Sequence, residues 1–389
     1  MAAVGAAAVN REASDLETDR IAVPPAQYVF FHAGTEAAFR RIADRPTSFT
    51  AIPTVDLADL DSQSTEARRV VARNVADACR RCGFFYVENH GLSAGLIDDT
   101  FSLLARFFAL DPAVKMDAHV HKNPAIRGYE PVRETRLDPR TAGDVKEAFT
   151  MGDCALEPEQ AYTAKTGCPP PGHLSRPQNL WPAAAPWWRA GLYRYYGAVL
   201  PLALRLARVF TLALGLPESA LDDQFRFPIT GLRALYYPPT EDAEVGLGAH
   251  ADFSWLTLVL QDDVAALEVL SPDGVWVQAP PRPGTLVCNV GQYLERQTGG
   301  LFPATVHRVR NRTGRARYSL PFFLTMDPDA VVDVLDCCRR DDAPKPAAEP
   351  ISAGDLYIGR VLPARPKHPT SIRYADVPQE QWSYSMLLS

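Results

Sequence analysis

The sequence has no large excess of charge of either sign, no unbroken apolar run long enough to cross a bilayer, and no dense set of cysteines. With a formal charge of -6 over 389 residues and no block of Lys or Arg, it lacks the electrostatic footprint of a nucleic-acid-binding chain. No stretch reaches the roughly 18 to 20 uninterrupted apolar residues of a membrane span, so a soluble protein is expected. The seven cysteines are odd in number and scattered, unlike a secreted disulfide scaffold, and imply a reducing, cytoplasmic setting. Cys79 and Cys82 form a C-x-x-C pair, but it falls within a helical pattern and has no second pair nearby, so a structural role is expected. What is abundant is hydrophobic residues, at 47%, enough for a sizeable core in one large domain or two modest ones.

Residues 1–50 read as a partly disordered leader. The Ala-rich start lacks basic residues and is followed by Glu12, Asp15, Glu17 and Asp19, which suits neither a signal nor a transit peptide. Residues 51–155 read as a mixed α/β region. Val70, Val71, Val75 and Ala78 recur at helical spacing, Phe84 to Val87 forms a compact strand, and Phe101, Leu104, Phe107 and Phe108 resume the helical pattern. Residues 156–186 are a Pro-rich connection, and 187–230 a long apolar helical support. From 231 to 361 the texture changes to short β segments separated by turns such as Pro272-Asp273-Gly274, which points to a double-sheet jelly roll. The tail, 362–389, carries Trp382, Tyr384, Met386, Leu387 and Leu388, an apolar patch suited to cap a pocket or to dock on a neighbour. A monomer is expected, with weak self-association through this tail as the other outcome.

His250 and Asp252 are separated by one residue, so on an extended segment both project from one face. His307 lies on a second β segment that can bring it to the same point. Two imidazoles and one carboxylate on one side of a metal are the ligand set of mononuclear Fe(II) oxygenases. Taken alone, His-x-Asp arises readily by chance, and a lone His307 is more often a satisfied structural histidine. Further along, Arg317 and Ser319 share a strand face, and a guanidinium beside a hydroxyl can grip a carboxylate through charge-assisted hydrogen bonds.

These residues belong to an ordered series. It comprises Ile52-Pro53-Thr54-Val55-Asp56-Leu57, Cys82-Gly83-Phe84-Phe85, Asn89-His90-Gly91, Tyr236-Tyr237-Pro238, His250-Ala251-Asp252, and Leu258 to Asp263. It continues through Asn289-Val290-Gly291, His307-Arg308-Val309 and Arg317 to Phe323. Over roughly Ile52 to Val361 the chain resembles the 2-oxoglutarate- and Fe(II)-dependent dioxygenases of the isopenicillin N synthase-like family. The resemblance implies a mixed α/β protein with a β-rich core, a distorted double-stranded β-helix (jelly roll) flanked by helices. It implies Fe(II) held by His250, Asp252 and His307, and 2-oxoglutarate held by Arg317, Ser319 and Tyr237, with O2 as the other co-substrate. It further implies oxidation of a small organic metabolite by hydroxylation, desaturation or ring formation, with release of succinate and CO2, in specialised metabolism. Phe253, Phe323 and Tyr129 are the expected substrate contacts. Leu235 stands where many relatives have Asn, Ala251 where Thr is common, and Gln292 where Asp is common. Arg127, Arg133, Arg136 and Lys146 read as a solvated face that can alternatively meet an acidic substrate. An oxoglutarate-independent oxidase of the isopenicillin N synthase branch and a non-catalytic metal-binding jelly-roll protein are the competing readings.

Overall fold

Alternation of side chains along the strands sorts the interior into two compartments. A computed structural model describes residues 28–32, 37–43, 48–138, 141–152, 178–240, 246–339 and 349–387. The start of the leader and most of the Pro-rich connection lie outside the described residues. In chain order the elements are β1 (Tyr28–His32), β2 (Ala37–Arg41), β3 (Thr54–Asp56), α1 (Thr65–Arg81), β4 (Phe84–Glu88), α2 (Ala94–Phe108), α3 (Pro112–Met116), β5 (Gly128–Glu130) and β6 (Glu147–Gly152). There follow α4 (Pro186–Ala213), β7 (Thr230–Tyr237), β8 (Leu247–His250), β9 (Leu256–Gln261), β10 (Leu267–Leu270), β11 (Trp276–Gln278), β12 (Leu286–Val290), α5 (Gln292–Gln297), β13 (His307–Val309) and β14 (Arg317–Leu324). A small pair, β15 (Val331–Val332) and β16 (Ile351–Ser352), precedes α6 (Ala353–Val361) and α7 (Pro369–Arg373).

An eight-stranded sheet runs β3-β4-β12-β9-β14-β7-β6-β5, and a six-stranded sheet runs β11-β10-β13-β8-β1-β2. Together they form the jelly roll. The hairpin β1–β2 comes from the segment read as a leader and is built into the smaller sheet, where His32 pairs with His250. Phe85, Leu258, Leu320, Phe322, Leu232 and Phe149 point out of the larger sheet onto α1, α2 and α4, and Phe107 of α2 stacks on Trp188 of α4 at 4.0 Å. The alternate residues Phe84, Tyr86, Val287, Leu235, Tyr237 and Ala148 point inward and meet Leu267, Val269, Val277 and Val309 of the smaller sheet. This period-two partition is what assigns every side chain of β14 and β7 to one compartment or the other.

α1 begins at Ser64, whose hydroxyl accepts from the Ala67 N–H, and closes at Cys82, followed by Gly83 at φ +69°. A side chain at Gly83 would collide with the Pro303 carbonyl, so only glycine allows the strand to follow the helix so closely. The 28-residue α4 is long and apolar enough by composition to cross a membrane. Here Trp188, Leu192, Tyr195, Val199, Leu202 and Leu206 are instead buried on the sheet and its helical neighbours. Cys79, Cys82 and Cys288 are buried free thiols.

Candidate metal and co-substrate site

β8 and β13 are antiparallel neighbours with His250 directly opposite His307, and the register shifts at that point. The two imidazole centroids lie 4.2 Å apart. Asp252, two residues past His250, turns its Oδ1 toward both rings, 3.5 Å from His250 Nε2 and 3.6 Å from His307 Nε2. Its other oxygen is committed, accepting from Thr257 Oγ1 at 2.7 Å and Asn289 Nδ2 at 2.8 Å. The carboxylate is thereby locked in orientation by two inward residues of β9 and β12.

Each ring is also oriented from behind. His250 Nδ1 lies 2.8 Å from the Gly248 carbonyl, and His307 Nδ1 lies 3.1 Å from the Thr305 carbonyl. A carbonyl can only accept, so the proton sits on Nδ1 and the Nε2 lone pair faces the Asp252 oxygen, the arrangement of a metal-ligating histidine. Burial and the neighbouring His250 push His307 down to about 4, so it is a neutral ligand at physiological pH. Burial opposes ionisation of Asp252, but His307, His250 and the Asn289 amide together hold its carboxyl well below the usual range. The donor set of two imidazoles and one carboxylate fits Fe(II).

Among the described residues one other group has metal-ligand spacing: His119, His121 and Glu134. There His119 Nδ1 accepts from the His121 backbone N–H, which leaves the proton on Nε2. His121 Nε2 lies 2.7 Å from Glu134, so this group is held by hydrogen bonds within itself.

The residues expected to hold the co-substrate lie on the inner face of the larger sheet. Arg317 pairs across the ladder with Tyr237, and Ser319 with Leu235 and Gln261. Arg317 is 1% exposed, its guanidinium 5.0 Å from the Tyr237 ring centre, bonded to Ser319 Oγ at 3.3 Å and Gln261 Oε1 at 3.1 Å. Two buried donors here, Arg317 Nε and the Tyr237 hydroxyl, make no hydrogen bond of good geometry, although Ser319 stands beside the phenol. Buried donors without acceptors cost about 1–3 kcal/mol each, and a carboxylate is a group able to satisfy both. Leu235 gives this site an apolar side where an Asn would have given a polar one.

Phe323 shares the inward face of β14 and pairs with Thr257, which bonds to Asp252, so it lies beside the metal-ligand group. Its other ladder partner, Gly231, has no side chain and leaves space beside the ring. Phe253 is half-buried, and its ring meets Tyr357 of α6 at 5.9 Å, which in turn meets Tyr384 of the tail at 6.1 Å. The tail therefore folds onto its own chain through Tyr384 and Leu387, behind the wall that Phe253 supplies.

Tyr129 is not brought to this site. Alternation along β5 points it outward beneath α2, 6.3 Å from Phe107, where its hydroxyl donates to Glu147 at 2.5 Å. The expected solvated basic face also divides: Arg133 is exposed, whereas Arg127 and Lys146 are buried. Thr257, Asn289, Gln261 and Tyr357 were given no role by the sequence. The first three carried a signal nonetheless, since each occupies an inward position on a strand bearing or facing a site residue.

A jelly roll holding an inward 2-His-1-carboxylate group beside a buried arginine defines a non-haem oxygenase. Residues 52–184 match the family model described as non-haem dioxygenase in morphine synthesis N-terminal, and residues 228–326 match the 2OG-Fe(II) oxygenase superfamily. The chain is 34% identical to the 2-oxoglutarate-Fe(II) type oxidoreductase ppzC of Metarhizium rileyi, over 76% of this chain and 83% of that one. It is 32% identical to the homoarginine-6-hydroxylase 2-ODD-233 of Oryza sativa subsp. japonica, over 81% and 98% respectively. A 2OG-Fe(II) oxygenase family protein from Caulobacter crescentus superposes with TM-score 0.68 at 29% identity, covering 80% of this chain and 99% of that one. The dioxygenase for auxin oxidation of rice superposes with TM-score 0.61 at 24% identity, over 78% and 92%, and so shares the fold. The chain belongs to the 2-oxoglutarate- and Fe(II)-dependent dioxygenases.

Proposed function

We propose that His250, Asp252 and His307 hold the iron, that Arg317, Ser319 and Tyr237 hold the distal carboxylate of 2-oxoglutarate, and that the oxidised compound is a small metabolite of specialised metabolism. The observation that carries this reading is the pairing of two sets of prepared groups. Nε2 atoms and a carboxylate oxygen converge at one point, and buried donors without partners stand on the inward face of β14 and β7. When bound, iron with 2-oxoglutarate and O2 supplies an oxidative decarboxylation, giving succinate and CO2, coupled to oxidation of a substrate C–H bond.

The chain's own contribution is orientation. The Gly248 and Thr305 carbonyls fix the two imidazoles, Thr257 and Asn289 fix the carboxylate, and Gln261 fixes Arg317. Phe323 and Phe253 form apolar walls next to the metal end, which supports an organic substrate with an unactivated C–H bond placed there. The buried free thiols support a cytoplasmic, reducing setting, and the inward packing of the tail supports a monomer. Screening metabolites for stimulated succinate release, with product mass determined for each hit, tests the reading. Product formed in proportion to succinate supports it; product formed in full without 2-oxoglutarate overturns it.

A further inference from the structure

On the inner face of β5, β6 and β7 lies a buried group of cations that takes no part in holding iron. Arg233 makes a fork to Glu130, with Nη1 at 2.8 Å from one oxygen and Nη2 at 2.8 Å from the other, and also reaches Thr150 Oγ1 at 2.7 Å. Arg365 reaches the same carboxylate at 3.3 Å, and Lys146 Nζ lies 3.9 Å from it while donating to Thr135. Three cations thus share one carboxylate whose side chain is 1% exposed. The other buried acid nearby, Asp144, gives one oxygen to the Gly248 N–H, and burial raises its carboxyl above the usual range. Arg365 Nε is buried without an acceptor. Buried charges are normally balanced, and a surplus of this kind is relieved when a cation gives up its proton or an anion enters from outside.

The neighbouring position on β6 is shaped around Arg127, whose Nη1 also reaches Asn179 Oδ1 at 3.4 Å. Gly152 follows Thr150 by two residues on the same inward face, about 6.8 Å along the strand. A Cβ at Gly152 would lie 2.6–2.8 Å from Nη2, Cζ and Nε of Arg127, so that guanidinium lies flat on the backbone where any other residue would displace it. Arg127 is only 5% exposed. It is flanked by Ile126 at φ +60°, a region a β-branched residue rarely enters, and by Gly128 at φ +127°. Such strain persists where the surrounding structure imposes it, often at ligand-holding positions. Gly152 pairs with Gly231, and Gly231 with Phe323, so the row from Arg127 to the aromatic wall contains no intervening side chain.

We propose that the primary substrate is an organic carboxylate, its anionic end received between Arg127 and Arg233 and its apolar end lying across Gly231 toward Phe323. This rests on the dioxygenase reading above and names the substrate class for the same pocket. Lys146 adds a signature. Burial and the nearby Arg233 bring it down to about 7, against the pull of Glu130 and Asp144 and with Arg365 also opposing its charge. An anion arriving in this cluster favours its protonated form, so binding near neutral pH takes up a proton.

The test uses the full chain loaded with Mn(II), which does not support turnover, and 2-oxoglutarate. Loading is measured first by calorimetry; failure to bind 2-oxoglutarate refutes the dioxygenase reading itself and is distinguishable from a failure of the substrate assignment. The probe is 3-phenylpropanoate, compared with its uncharged amide. An acid of this size at ordinary ligand efficiency binds with a Kd of about 1 mM. The expected results are binding of the acid at least about tenfold tighter than the amide, proton uptake seen as a buffer-dependent enthalpy, and loss of that preference in Arg127→Gln and in Gly152→Ala. In both variants the 2-oxoglutarate affinity stays within about twofold of wild type, which also verifies folding. Equal binding of acid and amide, no binding of the acid up to about 30 times the expected Kd, or an equal loss of 2-oxoglutarate affinity in the variants overturns the proposal. If the variants fail to fold, the acid–amide comparison and proton uptake in the wild type decide it alone.

Discussion

Thr257→Val isolates the orientation of the metal-binding carboxylate from its presence. The Thr257 hydroxyl donates to Asp252 Oδ2 at 2.7 Å and lies 2.9 Å from Ser254 Oγ, while Asn289 supplies the second donor to the same carboxylate oxygen at 2.8 Å. Valine has nearly the same shape but no hydroxyl, so all three iron ligands remain and only one restraint on Asp252 is lost. A hydrogen bond to a charged group contributes about 1.5–3 kcal/mol, and removing an outer partner of a metal ligand typically weakens metal binding about 10–100-fold. The two figures agree, since about 1.4 kcal/mol corresponds to a factor of ten. Anaerobic Fe(II) titration should therefore show affinity reduced by about one to two orders of magnitude. Thermal unfolding should show the metal-free protein destabilised by about 1.5–3 kcal/mol but still folded, because the buried Asp252 carboxylate loses one donor there too while keeping Asn289. Unchanged Fe(II) affinity in a folded Thr257→Val protein would refute the claim that Thr257 holds the ligand in place. Thr257→Ser, which restores the hydroxyl, should recover most of the affinity.

Arg317→Lys keeps the charge but not the planar fork, so the 2-oxoglutarate requirement should rise about 10–100-fold at constant Fe(II) affinity, as measured by calorimetry in the two orders of addition. Glu130→Gln leaves Arg233, Arg365 and Lys146 without their shared carboxylate and should destabilise the fold by about 3–5 kcal/mol in urea titration; an unchanged midpoint would contradict the buried network. Lys146, lowered to about 7 when folded, binds fewer protons than its unfolded form between about pH 7 and the ordinary lysine range. Stability should rise with pH through that window by up to roughly 1.4 kcal/mol per pH unit relative to Lys146→Met, and a variant with the wild-type slope would show that another group is responsible.

The β-rich core and the metal ligands were legible because both depend on local periodicity. One intervening residue places His250 and Asp252 together on any extended segment, and the same rule places Arg317, Ser319 and Phe323 on one side of β14. Tyr129 shows the limit of this reasoning. Its neighbours reveal that it alternates with Gly128 and Glu130, but only the sheet order reveals that the outward face of β5 lies under α2. The same ambiguity hid the burial of Arg127 and Lys146, since a basic residue in a turn-rich segment looks solvated until its partners are known. Lys146's partners, Glu130, Arg233 and Arg365, come from positions up to 235 residues apart. The tail was likewise undecidable between a cap and a docking surface until Tyr357 and Tyr384 were seen in contact behind Phe253.

The most direct test of the site as a whole is anaerobic addition of Fe(II) and then 2-oxoglutarate, monitored by absorption spectroscopy. Chelation of the iron by the keto acid should produce a visible charge-transfer band in the wild-type protein. The band should be absent in His307→Ala and require more 2-oxoglutarate in Arg317→Lys. A folded wild-type protein that binds both partners without developing the band, or a His307→Ala variant that retains it, would contradict the assignment of this iron and co-substrate site.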